Sequence, residues 1–173
     1  MVREVFELMQ ERNDKYFSGS NSIMGKDYRY YGLQPILLVF DEVASFQEMD
    51  KKIGDEVMSY LKQIVLMGRQ AGVSLLIATQ RPDHKALDTA VRDQFGLRVA
   101  LGKMSNIGFK MTLGEFEELP SSLYGNEVGT GYIYIDGEGW SNPRSFQAPF
   151  IDMEAINYQE TLKRFLTSNQ KKS

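Results

Sequence analysis

The chain has 173 residues, of which 42% are hydrophobic and 25% charged, as expected for one globular domain with a real core. It has no cysteine and a single histidine, His84, which excludes a disulfide framework and argues against thiolate or histidine metal clusters. The net charge of −3 argues against bulk attraction to nucleic acid, and because no apolar run is long enough to cross a membrane, a cytoplasmic location is expected.

The apolar periodicity predicts alternating helices and strands. In chain order they are a helix over about 3–16, a strand over 35–40, a helix over about 49–70, a strand over 73–78, a short helix near 87–94, a strand over 97–101 and a helix over 105–111. A β-hairpin follows, with strands near 131–135 and 144–148, and then a closing helix over about 152–166. Residues 169–173 are predicted to be a disordered tail, which leaves 1–168 as the folded domain.

Short connections between alternating strands and helices indicate an α/β fold with a mostly parallel sheet and right-handed crossovers. The strands at 36–40 and 73–78 are continuous aliphatic runs, typical of strands that are buried on both faces. Helices are therefore expected on both sides of this sheet.

Two adjacent carboxylates, Asp41 and Glu42, follow the first of these strands, and Gln80 follows the second. Because parallel strands end at the same edge of a sheet, where ligands of open α/β folds bind, the three side chains are expected to lie close together. A strand that ends in Asp-Glu resembles a Walker B motif. The alternative for Asp41 is an ordinary helix-capping carboxylate, and the alternative for Gln80 is a turn residue.

Three segments together resemble the motor domain of FtsK/SpoIIIE-type DNA translocases. They are Pro35-Ile-Leu-Leu-Val-Phe-Asp-Glu42, Gly68-Arg-Gln-Ala-Gly-Val-Ser-Leu-Leu-Ile-Ala-Thr-Gln-Arg-Pro82 and Phe95-Gly-Leu-Arg-Val-Ala100. Met9-Gln-Glu-Arg12 is similar to the family's Met-x-x-Arg helix, and the resemblance extends from about Val2 to Ile151. It implies a RecA-like ATPase that assembles as a hexameric ring around double-stranded DNA, and the conjugation-related variants are the most similar.

The resemblance also implies roles for individual residues. Asp41 would lie on the Mg²⁺ side of a bound ATP, Glu42 would be the catalytic base and Gln80 the γ-phosphate sensor. Arg69 would be an arginine finger that reaches the neighbouring subunit's nucleotide, or else a cation at a helix C-terminus. For Arg81 and Arg98 a salt bridge or a solvated strand-edge position is expected.

One motor element is missing from the sequence, because no Gly-x-x-x-x-Gly-Lys-[Ser/Thr] phosphate loop is present. The nearest match, Ser20-Asn-Ser-Ile-Met-Gly-Lys-Asp27, has Ser for the first Gly and Asp for the Mg²⁺-binding hydroxyl, with no strand before it. The chain is therefore interpreted as the C-terminal part of a motor that lacks the Walker A loop and its strand, and it is expected not to hydrolyse ATP unaided. Without that strand, the strands at 73–78 and 97–101 would each have an unpaired edge or would pair with one another.

Two functional hypotheses follow. The first is a fragment of an ATP-driven double-stranded DNA translocase used in DNA transfer or conjugation, with ATP and Mg²⁺ as cofactors of the full-length protein. Whether the full-length protein is anchored in a membrane is left open by the sequence. Its DNA contacts would come from the segment 83–85 or from Lys103 and Lys110, since basic loop residues suffice for sequence-independent contact. The second is a non-catalytic ATPase-like module that docks on a partner complex. The tyrosines Tyr28, Tyr30 and Tyr31 are expected to pack in the protein or at a subunit interface.

Overall fold

The computed structural model describes residues 1–42, 51–80, 89–116, 128–152, 156–157, 159–161 and 163–164. Its helices are α1 (Val2–Arg12), α2 (Lys51–Ala71), α3 (Thr89–Arg92) and α4 (Asn106–Leu113). Its strands are β1 (Ile36–Phe40), β2 (Val73–Ile77), β3 (Leu97–Leu101), β4 (Thr130–Ile135) and β5 (Arg144–Gln147). A π-helical turn, Asn13–Phe17, and a 3₁₀ turn, Gly19–Asn21, follow α1, so the predicted first helix leaves α geometry after Arg12.

Strands β1 and β2 form a parallel pair in which Ile36 lies opposite Val73 and Phe40 lies opposite Ile77. Helices α1 and α2 cover one face of this pair. The core between them is formed by Phe6, Met9, Leu38, Phe40, Leu61, Ile64, Ala71 and Val73, all of which are buried. The predicted strand–helix–strand unit, β1–α2–β2, is confirmed.

The prediction that β1 and β2 are buried on both faces is wrong for this chain. Leu37 and Val39 of β1 are 59% and 54% exposed, and Leu76 of β2, which lies opposite Val39, is 47% exposed. Successive strand residues point to opposite faces, and α1 and α2 cover only one of them. The second face of the pair therefore carries aliphatic side chains without cover from the described residues.

The end of α2 and the start of β2 are in unusually close contact. A Cβ at Gly68 would lie 2.3 Å from the carbonyl oxygen of Val73, so only glycine allows the helix to approach the strand this closely. Gly72 ends the helix with φ +73°, a left-handed conformation that glycine adopts without strain. The predicted helix over about 49–70 therefore ends close to where the sequence indicated.

A second sheet has the order β3-β4-β5 and is antiparallel throughout. Helix α4 packs on it and begins at Ser105, whose hydroxyl accepts a 3.1 Å hydrogen bond from the amide of Gly108. The core of this part is formed by Ala100, Phe109, Leu113 and Tyr132, and the rings of Phe109 and Tyr132 meet edge to face at 5.4 Å. The predicted hairpin and the predicted helix over 105–111 are both confirmed.

Strand β3 pairs with β4 and not with β2 among the described residues. Of the two predicted outcomes, pairing of the strands at 73–78 and 97–101 with one another is therefore not found. Each of these strands has one edge without a strand partner in the described ranges. Of the predicted closing helix, residues 159–161 and 163–164 are helical, whereas the described residues 152, 156 and 157 are not. The remaining residues of that helix and the predicted tail lie outside the described ranges. No helix in the described part of the chain is long and apolar enough to span a membrane.

Candidate functional site

The carboxyl ends of β1 and β2 bring two of the predicted site segments together. The amide of Ala78, just past β2, donates a 2.7 Å hydrogen bond to the carbonyl of Phe40, so the parallel ladder continues to the last residue of β1. Asp41 follows immediately and is exposed, and Glu42 is half-buried. The expected edge with Asp41, Glu42 and the tip of β2 is therefore present.

Glu42 is held directly by the tip of β2. Its Oε1 accepts a 2.8 Å hydrogen bond from the hydroxyl of Thr79, and its Oε2 accepts a 3.0 Å hydrogen bond from the backbone N–H of Gln80. The two hydrogen bonds fix the orientation of the carboxylate.

Gln80 contributes to this contact through its backbone, and the residue is exposed. Gln80 therefore lies next to Glu42 in space, although it is 38 residues away in the chain, and its exposed side chain is accessible to a ligand. Thr79 is the residue that sequence reasoning missed. The sequence did contain a signal for it. Thr79 carries a hydroxyl directly before Gln80, just after β2, and the end of β2 lies opposite the end of β1, which leads to Glu42.

The described residues at this edge of the sheet supply only part of the coordination shell of a divalent cation. Among the residues that the structure describes, no group of three or more His, Cys, Asp and Glu side chains could hold a metal ion. Mg²⁺ in nucleotide sites, however, is held by one or two carboxylates together with water and phosphate oxygens. The exposed Asp41 fits that smaller requirement when a phosphate ligand supplies the rest.

Arg69 lies at the other end of the sheet. It is exposed in the last turn of α2, three residues before Gly72, whereas Asp41, Glu42 and Gln80 follow the far ends of β1 and β2. A strand of five residues is about 16 Å long at 3.3 Å per residue, so Arg69 does not meet these residues within one chain. The structure therefore brings together three of the four predicted site residues and separates the fourth.

Arg98 forms a salt bridge, one of the two arrangements predicted for it, within a local cluster of side chains. Its Nη1 lies 3.1 Å from Oδ1 of Asp93, and its guanidinium lies 4.8 Å from the centre of the Tyr134 ring. Arg92 donates to the same Asp93 oxygen and also, at 2.9 Å, to the carbonyl of Lys110 at the end of α4. Both arginine side chains are only 12% exposed, and among the described residues Asp93 pairs with both of these largely buried cations.

Only some of the predicted DNA-contact residues are among the residues that the structure describes. Lys103 and Lys110 are exposed, and Lys110 Nζ lies 3.7 Å from a carboxylate oxygen of Glu115. Arg81 and the segment 83–85, which includes His84, lie outside the described residues.

The tyrosines at positions 28, 30 and 31 lie near the amino ends of β1 and β2, and two of them pack within the protein. Tyr31 contacts the rings of Tyr16 and Phe17, whereas Tyr30 is 56% exposed. The ring of Tyr28 lies against Gly72, where a Cβ would be 2.5 Å from its Cγ. The segment from Ser20 to Asp27 has no strand before it and no helix after it among the described residues, so it lacks the frame of a phosphate loop.

The chain is similar to FtsK-domain proteins along nearly all of its length. It is 36% identical over 166 residues to the FtsK domain-containing protein YdcQ of Bacillus subtilis (strain 168), an alignment that covers 95% of this chain and 33% of YdcQ. It is 25% identical over 153 residues to the DNA translocase FtsK of Clostridium tetani (strain Massachusetts / E88), covering 87% of this chain and 19% of that protein. The chain thus spans about a third or less of the length of these relatives. No family model matches it.

Solved structures show the same fold. The pCW3 conjugation coupling protein TcpA, in its monomer form with ATPgS, superimposes with a TM-score of 0.68 at 18% identity, over 95% of this chain and 49% of TcpA. The cytoplasmic domain of the type VII secretion ATPase EccC of Thermomonospora curvata superimposes with a TM-score of 0.57 at 22% identity, over 86% of this chain and 18% of EccC. The RecA-like α/β fold that the resemblance implied is confirmed, and the chain is a relative of the FtsK/SpoIIIE-type motors.

Proposed function

We propose that this chain is the Walker B and sensor part of an ATP-driven double-stranded DNA translocase of the FtsK/SpoIIIE type, acting in DNA transfer or conjugation. The observation that carries the proposal is the pair of hydrogen bonds from Thr79 and Gln80 to the Glu42 carboxylate. They join a strand-end Asp-Glu pair to the polar tip of the adjacent parallel strand, at the sheet edge where nucleotides bind in such folds. Two of the similar proteins, a DNA translocase FtsK and a conjugation coupling protein, support the same activity.

Each residue at this edge has a distinct proposed task. Asp41, exposed at the end of β1, binds the hydrated Mg²⁺ that accompanies ATP. Glu42 accepts the proton of the attacking water, and its two fixed hydrogen bonds orient the carboxylate for that transfer. Gln80 donates from its side-chain amide to the γ-phosphate. Bound Mg²⁺-ATP supplies the phosphoryl group and the charge that these residues recognise.

The phosphate loop of this site comes, in our proposal, from sequence outside these 173 residues. The chain contains no Gly-x-x-x-x-Gly-Lys-[Ser/Thr] motif. In RecA-like sheets the strand that leads to this loop lies beside the sensor strand, and β2 has an edge free of strand partners among the described residues. The exposed Leu37, Val39 and Leu76 on the uncovered face of the sheet are consistent with burial by the same additional protein.

Arg69 acts, in this proposal, on the nucleotide of a neighbouring subunit in a hexameric ring. Its position at the opposite end of the sheet from Glu42 supports action between chains, since it does not approach its own chain's site. Lys103 and Lys110 are exposed cations available for the DNA phosphates.

The test is DNA-stimulated ATP hydrolysis by the protein in which these residues are joined to a phosphate-loop half. That protein is expected to hydrolyse ATP faster when double-stranded DNA is added, and the Gln80→Ala variant is expected to lose most of this turnover. The 173-residue chain alone is expected to show almost none. Absence of turnover in the joined protein, with or without DNA, would favour the non-catalytic docking module instead. Full turnover by the 173-residue chain would contradict the proposed division of the site.

A further inference from the structure

The last turn of α2, which carries Arg69, is closed by groups from other parts of the chain. The final carbonyls of a helix lack partners within the helix and need donors from elsewhere. Here the carbonyl of Arg69 accepts from the amide of Gly72 at 3.3 Å, and that of Gln70 accepts from the amide of Tyr28 at 2.9 Å. The carbonyl of Ala71 accepts from Nη1 of Arg12 at 2.8 Å.

Arg12 is the one side chain among these three donors. It lies at the end of α1, one turn after Met9, which is fully buried in the core that α1 and α2 share. Residues three apart lie on the same face of a helix, so the burial of Met9 directs Arg12 towards α2. A guanidinium at a helix C-terminus also interacts favourably with the helix dipole. The Met-x-x-Arg spacing therefore has a physical use here: one residue packs the two helices and the other binds the end of α2.

A second set of contacts supports the same helix end. The side-chain amide of Gln70 donates a 3.0 Å hydrogen bond to the carbonyl of Lys26, and the ring of Tyr28 lies against Gly72. Arg69 is thus flanked by residues that are each bound to another segment, while its own side chain remains exposed.

We infer that Arg12 is a positioning residue for Arg69. By binding the Ala71 carbonyl it fixes the backbone from which Arg69 extends, so that the Arg69 guanidinium meets the neighbouring subunit's nucleotide at a constant place. The inference rests on the proposed role of Arg69 in trans. A displacement of about 1 Å in a catalytic group costs up to a hundredfold in rate. A contact that fixes only the backbone position of Arg69 therefore has a measurable effect on the rate.

The experiment uses the assembled motor that contains this chain and compares Arg12→Ala, Arg12→Lys, Arg69→Ala and the Arg12→Ala/Arg69→Ala double variant. Arg12→Ala is expected to lower the kcat for ATP about tenfold and to change KM less than about twofold, because it displaces a transition-state contact and leaves the nucleotide-binding residues intact. Arg12→Lys, which can still reach a carbonyl, is expected to retain most of the activity. The double variant is expected to be no slower than Arg69→Ala alone.

The matched control is Arg3→Ala. Arg3 also lies on α1 and also binds α2, through Glu56, but at a distance of several helical turns from Arg69. Its loss is expected to leave kcat unchanged. In amide hydrogen exchange of the 173-residue chain, Arg12→Ala is expected to accelerate exchange at positions 69–72 at least about tenfold, and Arg3→Ala is expected not to do so.

The outcomes separate the two claims. If Arg69→Ala lowers turnover but Arg12→Ala does not, or if the two losses multiply in the double variant, the positioning role is overturned while the proposed function stands. Unchanged exchange at 69–72 in Arg12→Ala also overturns it. If Arg69→Ala itself leaves turnover at the wild-type level, the proposed role of Arg69 fails, and the positioning role fails with it.

Discussion

Glu42 and Gln80 lie 38 residues apart in the chain, yet the backbone N–H of Gln80 donates a 3.0 Å hydrogen bond to Oε2 of Glu42. The parallel register of β1 and β2 creates this proximity, because Phe40 and Ile77 end opposite each other and the next residues of both strands emerge at the same edge. The contact couples the carboxylate proposed as the base to the segment proposed as the sensor. A shift in one of them therefore changes the hydrogen bonds of the other.

Replacing Glu42 by Gln in the assembled motor is expected to lower ATP turnover at least about a hundredfold, because an amide cannot accept the proton of the attacking water. ATP affinity is expected to remain within a few-fold of wild type, since the shape of the side chain is kept. Steady-state hydrolysis and equilibrium nucleotide binding measure the two effects. Glu138→Gln, an identical change at an exposed hairpin position, is the control and should leave both unchanged. Normal turnover in Glu42→Gln would remove this residue from the role of base.

Thr79→Val is expected to destabilise the 173-residue chain by about 1 kcal/mol. The change removes the hydroxyl that donates to Glu42 but keeps the β-branched shape, and a half-exposed hydrogen bond to a charged group contributes in this range. Urea unfolding measures the difference. Thr79→Ser keeps the donor and should lose less, and a larger loss for Ser than for Val would show that the methyl group, not the hydrogen bond, is what matters.

Gly68→Ala is expected to destabilise the chain by about 2–3 kcal/mol, although alanine is the better helix former by about 1 kcal/mol. The new Cβ would lie 2.3 Å from the Val73 carbonyl oxygen, so α2 and β2 would have to separate. Thermal or urea unfolding decides the sign. Gly96→Ala is the matched control, because a Cβ there meets nothing within 4 Å, and its effect is expected to stay within about 0.5 kcal/mol. Stabilisation by Gly68→Ala would contradict the close approach of helix and strand.

The pKa of Glu56 lies below its ordinary value of 4.5 because Arg3 and then Tyr60 donate hydrogen bonds to its carboxylate. A lowered carboxyl pKa contributes stability that is present above the unfolded-state pKa and is lost as the pH falls through the folded-state pKa, so this contribution disappears in acid, below about pH 4.5. Arg3→Ala is expected to raise the pKa of Glu56 towards 4.5, which carboxyl chemical shifts in an NMR titration measure. The pKa of Asp27, which Arg29 lowers, is the internal control and should not move. An unchanged Glu56 titration in Arg3→Ala would contradict the pairing.

The order and type of the elements could be predicted from the sequence because the apolar runs are strong and glycine marks their ends. The approach of Glu42 to the tip of β2 also followed from reasoning about parallel strands. What could not be predicted were contacts that depend on tertiary placement. The Thr79 hydroxyl and the Arg12 guanidinium have no periodicity to reveal their partners, since each binds a group more than thirty residues away.

The burial of β1 and β2 was predicted wrongly for an instructive reason. Their aliphatic composition indicates two covered faces, but composition does not reveal whether the second cover comes from the same stretch of chain. Leu37 and Val39 are consequently as apolar as Leu38 and Phe40, although only the latter two contribute to the core described here.

That difference makes Leu37, Val39 and Leu76 informative positions for mutational scanning. A polar side chain at any of them is solvated in the structure described here, so it costs the stability of this chain little. In the larger motor that we propose, the same substitution would place an unsatisfied polar group in a packed layer. Variants at these three positions can therefore fold normally as the 173-residue chain and still fail to assemble, which would separate errors of folding from errors of assembly in a single screen.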